Sequence, residues 1–199
     1  MEVANAVVMA QRLLRPKLVT AILVVDATAG NGNDTLFLAD NTPNTTVVWA
    51  FDIQTQALTK TQELLTNHEL DYKVHLVLDS HAHIPKYINQ PVDAAMFNLG
   101  YLPGGDHAIS TSSDTTIQAI AQTLQLLAAD GLVTIAAYPG YEHGRLELQA
   151  VHEYLTSLSQ KMFTVACWSM VNQKNSPPVL YVIEKIRSEQ LEGSTSLKD

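Results

Sequence analysis

The sequence predicts an α/β fold: a seven-stranded, mostly parallel sheet with helices on both faces and an antiparallel final hairpin. Three observations predict it. Short, continuous apolar runs alternate with longer stretches of helical period, and strands that are apolar on both faces belong to parallel sheets covered on each side. The last two runs, "FTVACWSMV" and "VLYVIEKI", are joined by a short segment with Pro177 and Pro178 and no helix, so they pair antiparallel. The first run, "AILVVDA", passes straight into a turn with two glycines and then a helix, a common α/β opening.

The elements follow in order. Residues 4–15 read as a helix with Ala6, Met9, Leu13 and Leu14 near one face, and Pro16 is expected to end or kink it. "AILVVDA" is a strand and "NDTLFLAD" a helix. "TVVWAFDI" is a strand, and "QTQALTKTQELLTNHEL" is a helix with Leu58, Leu64 and Leu65 inward. "KVHLVLD" is a strand followed by a short helix from His81 to about Asn89. "VDAAMFNLG" is a strand breaking into the loop "YLPGGDHAISTSS", after which 114–129 is helical. "GLVTIAAY" is a strand, 142–160 a helix, and the hairpin closes the fold.

The 199 residues suit one domain over 1–187, with a polar, frayed tail at 188–199. Hydrophobic residues make up 46%, enough for a large core. No apolar run approaches the ~20 residues of a membrane span. The N-terminus has no signal-peptide pattern and Cys167 is the lone cysteine, so a soluble cytoplasmic protein without membrane partners is expected. A net charge of −8 argues against broad binding to nucleic acid and gives no reason to expect DNA. A local patch can still serve an RNA substrate. Arg12, Arg15 and Lys17 form the densest basic cluster, which reads equally well as a solvated helix end.

In open α/β sheets a ligand sits beyond the carboxyl ends of the strands. Four features fall there. In Asp26-Ala-Thr28-Ala-Gly30-Asn31-Gly32 the glycines allow close backbone approach to a ligand. Asp52 ends the second strand, where a carboxylate can accept both ribose hydroxyls. Asp79, Ser80 and His81 end the third, where a side chain can bond an adenine amine. Asn98 to Tyr101 end the fourth, beside the reacting end of the ligand. Each strand-end Asp could equally be a helix cap. Together they point to an adenosine-bearing cofactor.

A dinucleotide site needs G-x-G-x-x-G with a pyrophosphate facing the helix N-terminus. Here the turn reads T-A-G-N-G-N-D. The third glycine is missing, and Asp34, after Asn33, would repel a pyrophosphate. S-adenosylmethionine has no phosphate and carries a sulfonium and an ammonium, which Asp26 would suit. The final hairpin and Asn-x-x-Tyr also favour a methyltransferase sheet over a nicotinamide-dependent dehydrogenase.

"DATAGNGNDTLFLA", "FDIQ", "NLGYLPGGDH" and "NSPPVLYVIEK" together resemble the small bacterial proteins of the rRNA-methylase-like family, from about residue 4 to 187. Members methylate the aminomethyl group of 5-aminomethyl-(2-thio)uridine at the tRNA wobble position. The resemblance implies a class I, Rossmann-like methyltransferase fold, S-adenosylmethionine as donor, and a tRNA anticodon arm as acceptor. It implies Asp26, Asn31, Asp52, Gln54, Asp79 and His81 as cofactor contacts, with Asn98, Tyr101 and the "PGGDH" loop on the acceptor side. Two stretches depart from the family. "LVTAIL" stands where a Gly-Asp-like turn is usual, and "YPGYEHGRLE" puts Tyr141 at the usual histidine, with His143 two places on.

Methyl transfer to an amine is a one-step displacement, and positioning supplies most of the rate. Asn98 Oδ1 and the Leu99 carbonyl could orient the amine, Tyr101 could stack on an unpaired base, and Asp106 or His107 could take the proton. "PGGDH" also reads as a plain turn with Asp106 as a cap. His81, His83 and Cys167 lack the convergent spacing of a zinc site, so no metal is expected. Cys167, Trp49 and Trp168 read as core. A small-molecule amine methyltransferase, an NAD-dependent oxidoreductase and a non-catalytic RNA-binding module are the rival readings. A homodimer could assemble a basic groove from two chains.

Overall fold

The computed structural model describes residues 5–100 and 111–186. Helix α1 spans Ala6–Leu18, and Asn5 caps it by accepting from the Val8 amide at 2.9 Å. Strand β1 (Leu23–Asp26) leads through the glycine turn into α2 (Asn33–Asp40). Then come β2 (Val47–Asp52), α3 (Thr55–Asn67), β3 (Val74–Leu78) and a 3-10 helix at His81–Lys86. Strand β4 (Val92–Asn98), α4 (Ser113–Leu126), β5 (Leu127–Ala137), α5 (Glu142–Thr156), β6 (Phe163–Trp168) and β7 (Val179–Lys185) complete the order.

The strands form one sheet in the order β3-β2-β1-β4-β5-β7-β6. The first five run parallel, while β7 is antiparallel to both β5 and β6. This is the class I, Rossmann-like arrangement the sequence predicts. One face carries an apolar core of Phe51, Phe97, Ile120, Ile135 and Leu155 with neighbours from α4 and α5. The other packs Leu14, Leu18, Leu38, Val48 and Leu65 under α1, α2 and α3. No described helix is long and apolar enough to cross a membrane.

Several elements differ from expectation. Pro16 does not end α1, which runs on to Leu18. A proline there removes one intrahelical bond, to the residue 12 carbonyl. Fully buried Leu14 and Leu18 hold the last turn against that loss, while Leu13 is exposed. In α3 the buried face is Ala57, Thr61 and Leu65, with Leu58 and Leu64 half-buried. Residues 127–129 are strand, although they read as the end of α4. Leu127 pairs with Val92, and pairing resumes at Ala94 and Leu132 across a bulge holding Asp130 at φ 61°. Sheet pairing here overrides the helix preference of Leu and Ala. Cys167 and Trp168 are exposed, contrary to expectation, because β6 is an edge strand and the core ends at β7. Trp49 is half-buried and stacks on His75 with ring centroids 4.4 Å apart. The expected tail, 188–199, lies outside the described residues.

Candidate functional site

Strand β1 is where the strand order reverses, and adjacent connections there leave to opposite faces and open a crevice. The backbone shows the divergence directly. The Ala27 amide donates to Met96 O of β4 at 2.9 Å, and the Ala29 amide donates to Phe51 O of β2 at 2.8 Å. Above this split lies a cavity of about 1110 Å³. Thr28, Gly30, Asn31, Asn33, Asp34, Asp52, Gln54, Asp79, Ser80, His81 and Asn98 all line it. Two expected contacts do not. Asp26 is fully buried beneath the turn, and Gly32 is the N-cap of α2.

The Asp26 carboxylate is placed under the turn and not on the cavity wall. Its Oδ1 accepts from the Thr28 amide at 3.1 Å and its Oδ2 from the Thr35 hydroxyl at 2.6 Å. Gly32 is likewise structural. Its φ is +86°, and a Cβ there would lie 2.9 Å from Thr61 Cα. Gly30, with φ +54°, donates its amide to Asp52 Oδ2 at 2.9 Å, and Asp52 Oδ1 accepts from the Gln54 amide at 2.9 Å. A carboxylate offers about four lone-pair sites, so two stay available to hydroxyls in the cavity. Lys60 Nζ reaches Asn31 Oδ1 at 3.3 Å.

Asp79 accepts from His83 Nδ1 at 2.7 Å and from the Tyr87 hydroxyl at 2.9 Å. The His83 bond is the main reason its carboxyl sits at about 2. Ser80 caps the 3-10 helix by accepting from the Ala82 amide. His81 is buried, which lowers its pKa, and its Nδ1–H donates to Ala27 O at 3.2 Å. The two histidines thus serve different partners. Among the described residues no group of His, Cys, Asp and Glu could hold a metal ion.

Asn98 joins the two halves of the cavity. Its amide donates to Thr28 Oγ1 at 2.7 Å, and its Nδ2 donates to Asp34 Oδ2 at 3.2 Å. Gln11 Nε2 donates to the other oxygen of Asp34 at 3.0 Å. Asn98 Oδ1 is buried and has no hydrogen-bond partner among the described residues. Gln122 Oε1 and Thr123 Oγ1 are likewise buried without a partner among the described residues, but of the three residues only Asn98 lines the cavity. Burial raises the Asp34 carboxyl, and the bonds from Gln11 and Asn98 oppose that rise. Asp26 is raised to about 7, first by burial and then by the charge of Asp34. No described Lys or Arg lines the cavity. Carboxylates with no Lys or Arg on the described cavity wall favour a cation over a pyrophosphate.

Tyr101, Asp106 and His107 lie outside the described residues. Tyr138, Gly140, Tyr141, Thr111, Ser112, Thr115 and Ser176 line the cavity in addition to the expected residues. The strand-end rule that finds Asp52 and Asp79 also finds Tyr138, one residue past β5. Of the two candidates for the usual histidine position, Tyr141 lines the cavity, whereas His143 is exposed on the first turn of α5. The basic cluster on α1 is partly engaged within the chain. Arg15 Nη1 donates to Asn41 Oδ1 at 2.6 Å and lies over the Phe37 ring, and Lys17 pairs with Glu184 at 3.8 Å.

Comparison with known proteins agrees with this geometry. The family described as "Putative rRNA methylase" matches residues 48–184. A crystal structure of a protein from Clostridium thermocellum, described as an rRNA-methylase of that kind, is 42% identical; it superposes with a TM-score of 0.92 over 94% of this chain and 100% of that one. A "putative methyltransferase" from Streptococcus mutans, solved in complex with SAH, is 38% identical, with a TM-score of 0.85 over 93% and 100% of the two chains. The chloroplastic tRNA (mnm(5)s(2)U34)-methyltransferase of Arabidopsis thaliana is 33% identical over 172 residues. That match takes in 81% of this chain and 63% of the plant protein's length.

Proposed function

The chain belongs to the rRNA methylase family, and from that premise we propose that it methylates the aminomethyl nitrogen of 5-aminomethyl-(2-thio)uridine at the tRNA wobble position. It is an S-adenosylmethionine-dependent methyltransferase. The donor fits the residues present. Asp52 would hold the ribose, Asp79 and Ser80 the adenine edge, and Asp34 the positively charged amino-acid end. When bound, the donor supplies an electrophilic methyl carbon on sulfur.

The observation that carries the reading is Asn98 Oδ1, a buried acceptor on a cavity-lining residue with no partner among the described residues. An amine N–H donates to such an oxygen, and the nitrogen lone pair is then turned away from it, free for attack. Asp34 receives the amide's N–H and so fixes which end of Asn98 faces the substrate. Tyr138 and Tyr141 offer apolar ring surface for a pyrimidine. The name of the plant relative supports the wobble uridine as acceptor. Two copies of the chain would present an RNA with two α1 basic clusters, and we include a homodimer in the proposal.

The test is mass spectrometry of tRNA nucleosides from cells with and without the protein, beside a reaction with purified protein, S-adenosylmethionine and the undermodified tRNA. The expected result is loss of the N-methylated wobble nucleoside, accumulation of the primary amine, and restoration in vitro. An unchanged nucleoside profile, with turnover only on a free amine, would assign the enzyme to small-molecule methylation.

A further inference from the structure

We propose that Glu147 is a positioning residue for the methyl acceptor, acting through Thr111 on the cavity wall beside Asn98. This rests on the reading that the acceptor enters at Asn98. Glu147 is only 3% exposed, on the inner face of α5. Its Oε1 accepts from the Thr116 hydroxyl at 2.6 Å and its Oε2 from the Thr111 hydroxyl at 2.8 Å. The same Thr111 oxygen accepts from the Gly100 amide at 2.8 Å, and the Thr111 amide donates back to Gly100 O at 2.9 Å. Gly100 and Thr111 both line the cavity.

The direction of this chain is fixed by chemistry. The Thr111 hydroxyl has one proton. Because its oxygen accepts from Gly100, that proton must go to an acceptor, and the carboxylate supplies one. Gly100 depends on the arrangement. It sits at φ +133°, and a Cβ there would come 3.2 Å from the Tyr141 hydroxyl, so Gly100 lies close against this second cavity-lining side chain. The other end is anchored too. At Gly144 a Cβ would fall 2.1 Å from Tyr138 O, so α5 packs directly on the end of β5 and presents Glu147 one turn later. Leu99 is tied to β5 by its amide bond to Ala136 O at 2.8 Å.

A buried carboxylate is costly, and an apolar residue fills such a space without that cost. Burial raises the Glu147 carboxyl, and the two hydroxyl bonds counter the rise. What the carboxylate supplies and an apolar residue cannot is a fixed position for Thr111, and through it for Gly100.

Thr111 and Thr116 allow a matched test, because each makes one hydroxyl bond to Glu147 and only Thr111 lines the cavity. Thr111→Val, Thr111→Ser, Thr116→Val and Glu147→Gln would be compared by thermal melts, calorimetry with S-adenosylmethionine, and single-turnover methylation of saturating tRNA. Thr111→Val and Glu147→Gln are expected to slow methylation by about 10-fold or more with donor affinity within about two-fold of wild type. Thr111→Ser should restore the rate. Thr116→Val should lower the melting temperature comparably yet keep most of the rate. Equal rates for Thr111→Val and Thr116→Val, with the wild type active, would overturn the role of Glu147 alone. A wild-type protein that leaves tRNA unmethylated would overturn the functional reading, and this inference with it.

Discussion

Asn98 and Asp34, sixty-four positions apart in the chain, meet at 3.2 Å where β4 ends and α2 begins. The contact ties the end of β4 to the first turn of α2 on the cavity wall. It also sets the orientation of an amide whose oxygen is buried and has no partner among the described residues.

If Asn98 orients the amine, it acts mainly in the transition state. Asn98→Ala should lower kcat on the order of 10²-fold, with donor affinity close to wild type. Single-turnover rates at saturating tRNA, beside thermal melts, give the answer. A folded variant that binds both partners and methylates at the normal rate would exclude the role.

Asp52 is the proposed ribose acceptor, with both oxygens already steadied by the Gly30 and Gln54 amides. Asp52→Ala should weaken S-adenosylmethionine binding by roughly 1.5–3 kcal/mol, the range for hydrogen bonds to a charged group. Calorimetry measures it. Unchanged affinity in a folded variant would show that the ribose lies elsewhere.

Gly32→Ala tests the turn apart from the chemistry. The left-handed φ of +86° and the 2.9 Å approach of a Cβ to Thr61 Cα both oppose any side chain. A non-glycine residue in that region costs about 1–3 kcal/mol before the clash is counted. Urea denaturation should show at least that loss, and a variant as stable as wild type would contradict the close approach of the turn to α3.

Stability should fall as pH rises across the titration of Asp26. Its carboxyl is raised from 3.8 to about 7, so in that window the folded state keeps a proton the unfolded chain has released. More protons bound in the folded state means stability declines through the window, and the decline is complete above about pH 7. Asp34, which faces Asp26, and Glu147 are raised as well and add slope of the same sign. Asp26→Asn should therefore flatten the dependence of denaturation free energy on pH between about 4 and 7 without abolishing it. An unchanged slope would mean that Asp26 ionises normally in the fold.

Local pattern made much of the protein legible. Apolar runs, the glycine turn and the polar residues at strand ends are short-range signals, and the carboxyl end of a parallel strand lies beside the ligand crevice. That is why Asp52, Asp79 and Asn98 could be placed by sequence alone, and why the final hairpin followed from a connection too short for a helix.

Tertiary structure decided what depends on distant partners. The sequence puts Asp26 at the end of β1, but only packing under the turn shows its carboxyl bound to Thr35 and kept from the cavity. Residues 127–129 have helix-forming side chains and become strand because Val92 offers a pairing partner. Cys167 lies in an apolar run and is exposed because β6 falls at the sheet edge. The partnering of Glu147 with Thr111 and of Asn98 with Asp34 spans 36 and 64 positions, distances over which composition and periodicity carry no information about contact. The sequence determined the residues and the strand ends on which they stand; strand order and burial decided which of them face the cavity and which hold the others in place.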